Sequence, residues 1–129
     1  MKAVLLAAGE GERLGEVTKK VPKPMIRMQG KPILEHNVEL CRAHGVTELF
    51  INLHHLPEAI TKYFGDGARW GVSITYAYEP ALLGTAGAVR NFAAALAGSR
   101  FFVLYGDNRS DCDLATLLRG VARAVRRDA

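Results

Sequence analysis

Residues 2–15, KAVLLAAGEGERLG, decide how this chain is read. An apolar run over residues 3–8 breaks into a loop with glycines at 9, 11 and 15. A continuous apolar run stopped by glycine reads as a strand buried on both faces, as in a parallel sheet covered by helices. The spacing G-x-G-x-x-x-G is one residue off the dinucleotide fingerprint G-x-G-x-x-G, and Glu10, Glu12 and Arg13 stand inside the loop. Alone, such a loop fits several phosphate chemistries.

The rest of the chain alternates strand and helix signals. KPILEHNVELCRAHG (31–45) reads as a helix with Pro32 at its first position and Gly45 at its stop. TELFINL (47–53) is a second strand. PEAITKYFGDG (57–67) is a short helix opened by Pro57 and closed by Gly65, and VSITYAY (72–78) is a third strand. GTAGAVRNFAAALAGS (84–99) reads as one alanine-rich helix with Thr85 as its N-cap. RFFVLYGD (100–107) is a fourth strand, and DLATLLRGVARAVRR (113–127) a last helix with Asp113 as its cap. This alternation predicts an α/β, Rossmann-like three-layer sandwich with a mostly parallel sheet. Ligands in such sheets sit beyond the carboxyl ends of the strands. Three polar clusters fall there: GEGER after the first strand, EPALLGTAG after the third and GDNRSD after the fourth. Trp70 and Tyr76 read as packing residues, and the adjacent His54 and His55 as structural.

Composition narrows the function classes. Of 129 residues 49% are hydrophobic and 23% charged, enough for a packed core, and the net charge is +4. A mild basic excess suits a phosphorylated ligand and equally an ordinary solvated surface. No stretch interleaves aromatics with a basic run, so nucleic acid is not expected as a partner. Cys41 and Cys112 lack metal spacing and read as thiols of a reducing compartment. The N-terminal apolar run is too short for a signal peptide or a membrane span, so a cytoplasmic location without membrane association is expected.

Two standard nucleotide signatures fail. A dinucleotide fold wants an acid at the end of the second strand, but that strand ends INLHHLP, with Asn52, His54 and His55 and no carboxylate. The loop runs into TKKVPKPM, where Pro22 and Pro24 exclude a helix through that stretch. The G-K-[ST] ending of the phosphate loop is absent. What remains is a glycine loop, Arg13 and Lys23. Arg13 can bridge two phosphate oxygens with its planar fork, and Lys23 is a point charge between prolines. Two cations beside glycine amides suit a triphosphate; they are also compatible with solvated surface charges.

LAAGEGERLGEVTKKVPKPM resembles the signature of the sugar-1-phosphate nucleotidyltransferases, close to L-A-A-G-x-G-[TE]-R-[LM]-x-P-L-T-x-x-x-P-K-P. EPALLGTAGAV resembles the family's second motif and VLYGD its strand-end aspartate motif, in the right order. Glu16 and Val17 replace the family's proline and leucine. INLHHLPEAITKYFGDG with YEPALLGTAGAV looks most like the mannose-1-phosphate guanylyltransferase branch. The GER form of the loop is also at home among muramate-1-phosphate uridylyltransferases.

The resemblance implies a GT-A-like nucleotidyltransferase fold. It also implies transfer of a nucleotidyl group from a nucleoside triphosphate to a sugar 1-phosphate, releasing pyrophosphate. Carried over by position, the nucleotide would meet Ala8, Gly9, Gly11 and Glu12 in the loop. Arg13 and Lys23 would be the catalytic cations, on the leaving pyrophosphate and on the α-phosphate with the incoming sugar phosphate. Glu79, Gly84 and Thr85 would lie along the base, ribose and sugar, and Asp107 would bind Mg²⁺. Family domains are longer, so residues 1–129 are expected to be an apparently truncated, N-terminal nucleotide-binding part. That part is expected to bind triphosphate with little or no turnover, and its uncovered apolar surface to favour self-association, as in a homo-oligomer, or poor solubility. Three other readings stay open: a uridylyl- or thymidylyltransferase of the same family; a non-catalytic nucleotide-binding or subunit-interaction module, separated by turnover; and a dinucleotide-dependent oxidoreductase, weakened by the missing ribose acid and separated by magnesium dependence.

Overall fold

The structure is a computed structural model and describes residues 1–8, 21–81 and 84–105. In chain order it contains β1 (Lys2–Leu6), a short antiparallel pair β2 (Arg27–Met28) and β3 (Lys31–Pro32), and α1 (Ile33–Ala43). Then come β4 (Glu48–Leu53), α2 (Pro57–Phe64), β5 (Ser73–Tyr78), α3 (Gly84–Arg90), α4 (Ala93–Leu96) and β6 (Phe101–Tyr105). The main sheet has the order β5-β4-β1-β6 with every pairing parallel. Leu6 stands opposite Asn52 and Tyr105, and Asn52 opposite Ala77.

Side chains alternate across a strand, so a strand apolar at every position feeds two cores. Ala3, Leu5 and Ala7 join Leu49, Ile51, Leu53 and Ile74 beneath Leu34, Val38 and Cys41 of α1 and Ile60 and Phe64 of α2. On the other face Val4 and Phe50 meet Phe92 and Leu96. Phe50 and Phe92 lie 5.2 Å apart, tilted by 52°. Helices therefore cover both faces, the three-layer α/β arrangement expected from the alternation. Burial pushes the Cys41 thiol up to about 12, so it stays a protonated core side chain. Burial, with the Asp66 charge adding to it, likewise pushes Tyr76 up to about 12; its hydroxyl donates to Gly65 O at 2.7 Å.

Several local expectations change. Pro32 precedes α1 rather than opening it, because it pairs with Arg27 in the β2–β3 ladder and is extended (ψ 145°). Residues 22–25 hold a 3-10 turn, Lys23–Met25, in the stretch from which the prolines exclude a helix; Pro24 falls in its first turn, where a missing N–H costs no bond. The single helix expected over 84–99 is two. Phe92 N bonds to Val89 O at 3.0 Å, tightening the chain, and the break turns Phe92 into the core. Thr85 lies within α3 and is not its cap; the first residue is Gly84, at φ +73°. Among the described residues no atom lies within 4 Å of where a Cβ on Gly84 would sit, and its positive φ is the structural reason for glycine there. The expected last helix, with Cys112 and Asp113, lies outside the described residues.

Glu35 ties the α1–α2 layer together. It accepts from Tyr63 Oη at 2.8 Å and from Trp70 Nε1 at 2.9 Å, one donor on each oxygen. A glutamine keeps the shape but offers only one acceptor oxygen, orphaning one donor. Glu35→Gln is expected to cost about 1–3 kcal/mol. Urea unfolding followed by the fluorescence of Trp70, the sole tryptophan, checks this. An unchanged midpoint would mean that water satisfies the released donor.

Candidate functional site

All four strands of the main sheet are parallel, so their carboxyl ends share one edge. The glycine loop departs there from β1 and the second motif from β5, with the end of β4 between them. β1 leaves the ladder after Leu6, and the next amide, Ala7 N–H, donates to Asn52 Oδ1 at 2.7 Å. Asn52 Nδ2 donates to Glu79 Oε1 at 3.1 Å. Asn52 and Glu79 are 4% and 1% exposed, so the chain Ala7–Asn52–Glu79 is sealed from solvent. The Glu79 backbone is fixed as well: its N–H donates to Leu53 O at 2.7 Å, and its carbonyl lies 2.6 Å from His54 Nδ1. A carbonyl only accepts, so His54 Nδ1 carries the proton.

Of the expected site residues, Ala8 is buried at the exit of β1, and Glu79 is locked at the exit of β5. Gly84 opens α3 one loop further on, followed by Thr85. Lys23 is half-buried on its own 3-10 turn, between the buried prolines Pro22 and Pro24. Gly9, Gly11, Glu12, Arg13 and Asp107 lie outside the described residues. Of the adjacent histidines, His54 takes the structural role expected of it, on the Glu79 carbonyl.

Asn52 is the residue that sequence reasoning misses, since the strand end draws notice there only for lacking a carboxylate. A signal is present: an amide at the last buried polar position of an apolar strand needs partners there, or it costs desolvation. Beyond it, Leu56 takes a left-handed conformation (φ 48°, ψ 54°) that is costly for a leucine, turning the chain into α2.

A parallel α/β sheet that brings a glycine-loop root and a second polar motif to its strand-end edge has the arrangement in which α/β proteins bind their ligands. The nucleotidyl transferase family model matches residues 2–127, and the chain belongs to that family. It is 39% identical over 130 residues to a UTP--glucose-1-phosphate uridylyltransferase of Synechocystis sp., covering 92% of this chain and 34% of that protein. It is 37% identical over 116 residues to a mannose-1-phosphate guanylyltransferase of Mycobacterium tuberculosis, covering 90% and 32%. The crystal structure of HddC from Yersinia pseudotuberculosis complexed with GMP-PN superposes with a TM-score of 0.80 at 28% identity, over 92% of this chain and 53% of that one. The chain thus spans about a third of the length of these two relatives, 34% and 32%. Among the described residues no helix is long and apolar enough to cross a membrane.

Proposed function

We propose that the carboxyl edge of this sheet binds a nucleoside triphosphate and serves transfer of its nucleotidyl group to a sugar 1-phosphate. The observation that carries the reading is the buried Ala7–Asn52–Glu79 chain, which joins the root of the glycine loop to the second motif across β4. In the reaction a phosphate oxygen of the sugar attacks the α-phosphorus, and the bond to pyrophosphate breaks in line. Positioning and charge neutralisation supply the catalysis, and no nucleophilic side chain is needed.

Ala8, Gly9, Gly11 and Glu12 would frame the triphosphate, with Arg13 on the leaving pyrophosphate and Lys23 on the α-phosphate. Glu79, Gly84 and Thr85 would border the nucleoside and sugar. Among the described residues no three His, Cys, Asp or Glu side chains gather as a metal cluster, and Glu79 already accepts from Asn52. Mg²⁺ uses one or two carboxylates and otherwise phosphate oxygens and water. Asp107 would be its protein ligand, and the bound ion would neutralise phosphate charge. The motif pattern favours GTP and mannose 1-phosphate within this class.

A thermal-shift screen of GTP, UTP, dTTP, ATP and CTP with Mg²⁺ tests the binding half. A ligand at 100 times its Kd adds about 2.7 kcal/mol of stability. Stabilisation by at least one triphosphate, with GTP foremost, is expected. No stabilisation by any of them would overturn the reading.

A further inference from the structure

We propose that Asn52 is a positioning residue for nucleotide binding: it fixes the glycine-loop root and the second motif at one spacing. The proposal rests on the nucleotide-binding reading above. The orientation of its amide is dictated from outside. Ala7 N–H can only donate, so the atom 2.7 Å from it must be Oδ1. Nδ2 then faces Glu79 Oε1, at 3.1 Å, which accepts. One planar side chain thereby sets where β1 releases the chain and where the Glu79 carboxylate sits.

The residue type follows from those two groups. Phe50, two positions earlier on the same face of β4, is packed in the apolar core with Val4 and Phe92. An apolar side chain at 52 would extend that core but leave Ala7 N–H and Glu79 Oε1 without the partner they now share. Aspartate could accept from Ala7 but not donate to Glu79, and it would set two carboxylates against each other. Only an amide of this length serves both at once. His54 strengthens the same tie by holding the Glu79 carbonyl at 2.6 Å.

The test exchanges donor and acceptor. Asn52→Asp is expected to raise the Kd of the full chain for Mg²⁺-triphosphate (GTP and UTP titrated separately) about tenfold or more, with the fold retained by circular dichroism. Adding Glu79→Gln supplies a new amide donor opposite the carboxylate introduced at position 52 and keeps the pair's total charge. The double variant is therefore expected to bind more tightly than Asn52→Asp alone. A merely structural asparagine would shift the unfolding midpoint and leave the Kd of the folded variant unchanged. Should Asn52→Asp not fold, Asn52→Ser takes its place: its single short hydroxyl cannot hold both groups, and the same loss of affinity is expected. Wild-type binding with unaltered affinity in the folded position-52 variant overturns the positioning role alone. So does a double variant no better than Asn52→Asp. A wild type that binds no triphosphate overturns the nucleotide reading and this role with it.

Discussion

Arg13→Ala is expected to weaken nucleoside triphosphate binding about 100-fold, the loss of charge-assisted hydrogen bonds to phosphate, and monophosphate binding only a few-fold. The asymmetry comes from its proposed partners, the terminal phosphates, which a monophosphate lacks. A planar guanidinium holds two phosphate oxygens at once, so lysine at this position should recover only part of the affinity. Lys23→Ala should behave differently. Its proposed partner, the α-phosphate, is common to both ligands, so both affinities should fall together. Isothermal titration of GTP and GMP, and of UTP and UMP, into wild type and both variants separates the two. Equal losses for tri- and monophosphate in Arg13→Ala would remove Arg13 from the terminal phosphates.

Leu5→Ala is expected to destabilise the fold by about 2–5 kcal/mol, a substantial fraction of the ~5–15 kcal/mol that holds a typical domain. Leu5 is fully buried at the centre of the sheet, with Ile51 and Leu104 opposite it on the flanking strands. Truncation there opens a cavity that the paired strands on both sides cannot collapse to fill. Val103 gives the contrast: it lies on β6, at the edge of the sheet among the described residues, and is 37% exposed. Val103→Thr should stay within about 0.5 kcal/mol. Denaturant unfolding of both variants measures this, and comparable losses would show that the core is not centred on β1.

The chemistry of the strand-end edge bears on how narrowly the family's reaction is fixed here. The relatives include a uridylyltransferase and a guanylyltransferase at 39% and 37% identity, so overall similarity does not choose the base. The second motif is where the nucleoside is proposed to lie, and there the Glu79 carboxylate is held by Asn52.

The layer architecture is legible in the chain before any folding is considered. Continuous apolar runs such as AVLLA (3–7) and LFI (49–51) must be covered on both faces, and the intervening helical periods supply the cover. The polar motifs stand after strands, and with parallel strands that puts them on one edge. Gly45 and Gly65 mark helix ends correctly, because positive φ is a local requirement that glycine meets. Other features are settled only in three dimensions. The break at Phe92 is invisible in an alanine-rich stretch with good helix propensity, because it is settled by Phe50 on a distant strand. Pro32 is drawn out of the helix by Arg27, its partner in the β2–β3 ladder. The role of Asn52 depends on Ala7, 45 residues away, and on Glu79, 27 residues away. Local pattern reports what a residue prefers. Which buried donor meets which acceptor is fixed only when the sheet sets β1, β4 and β5 side by side.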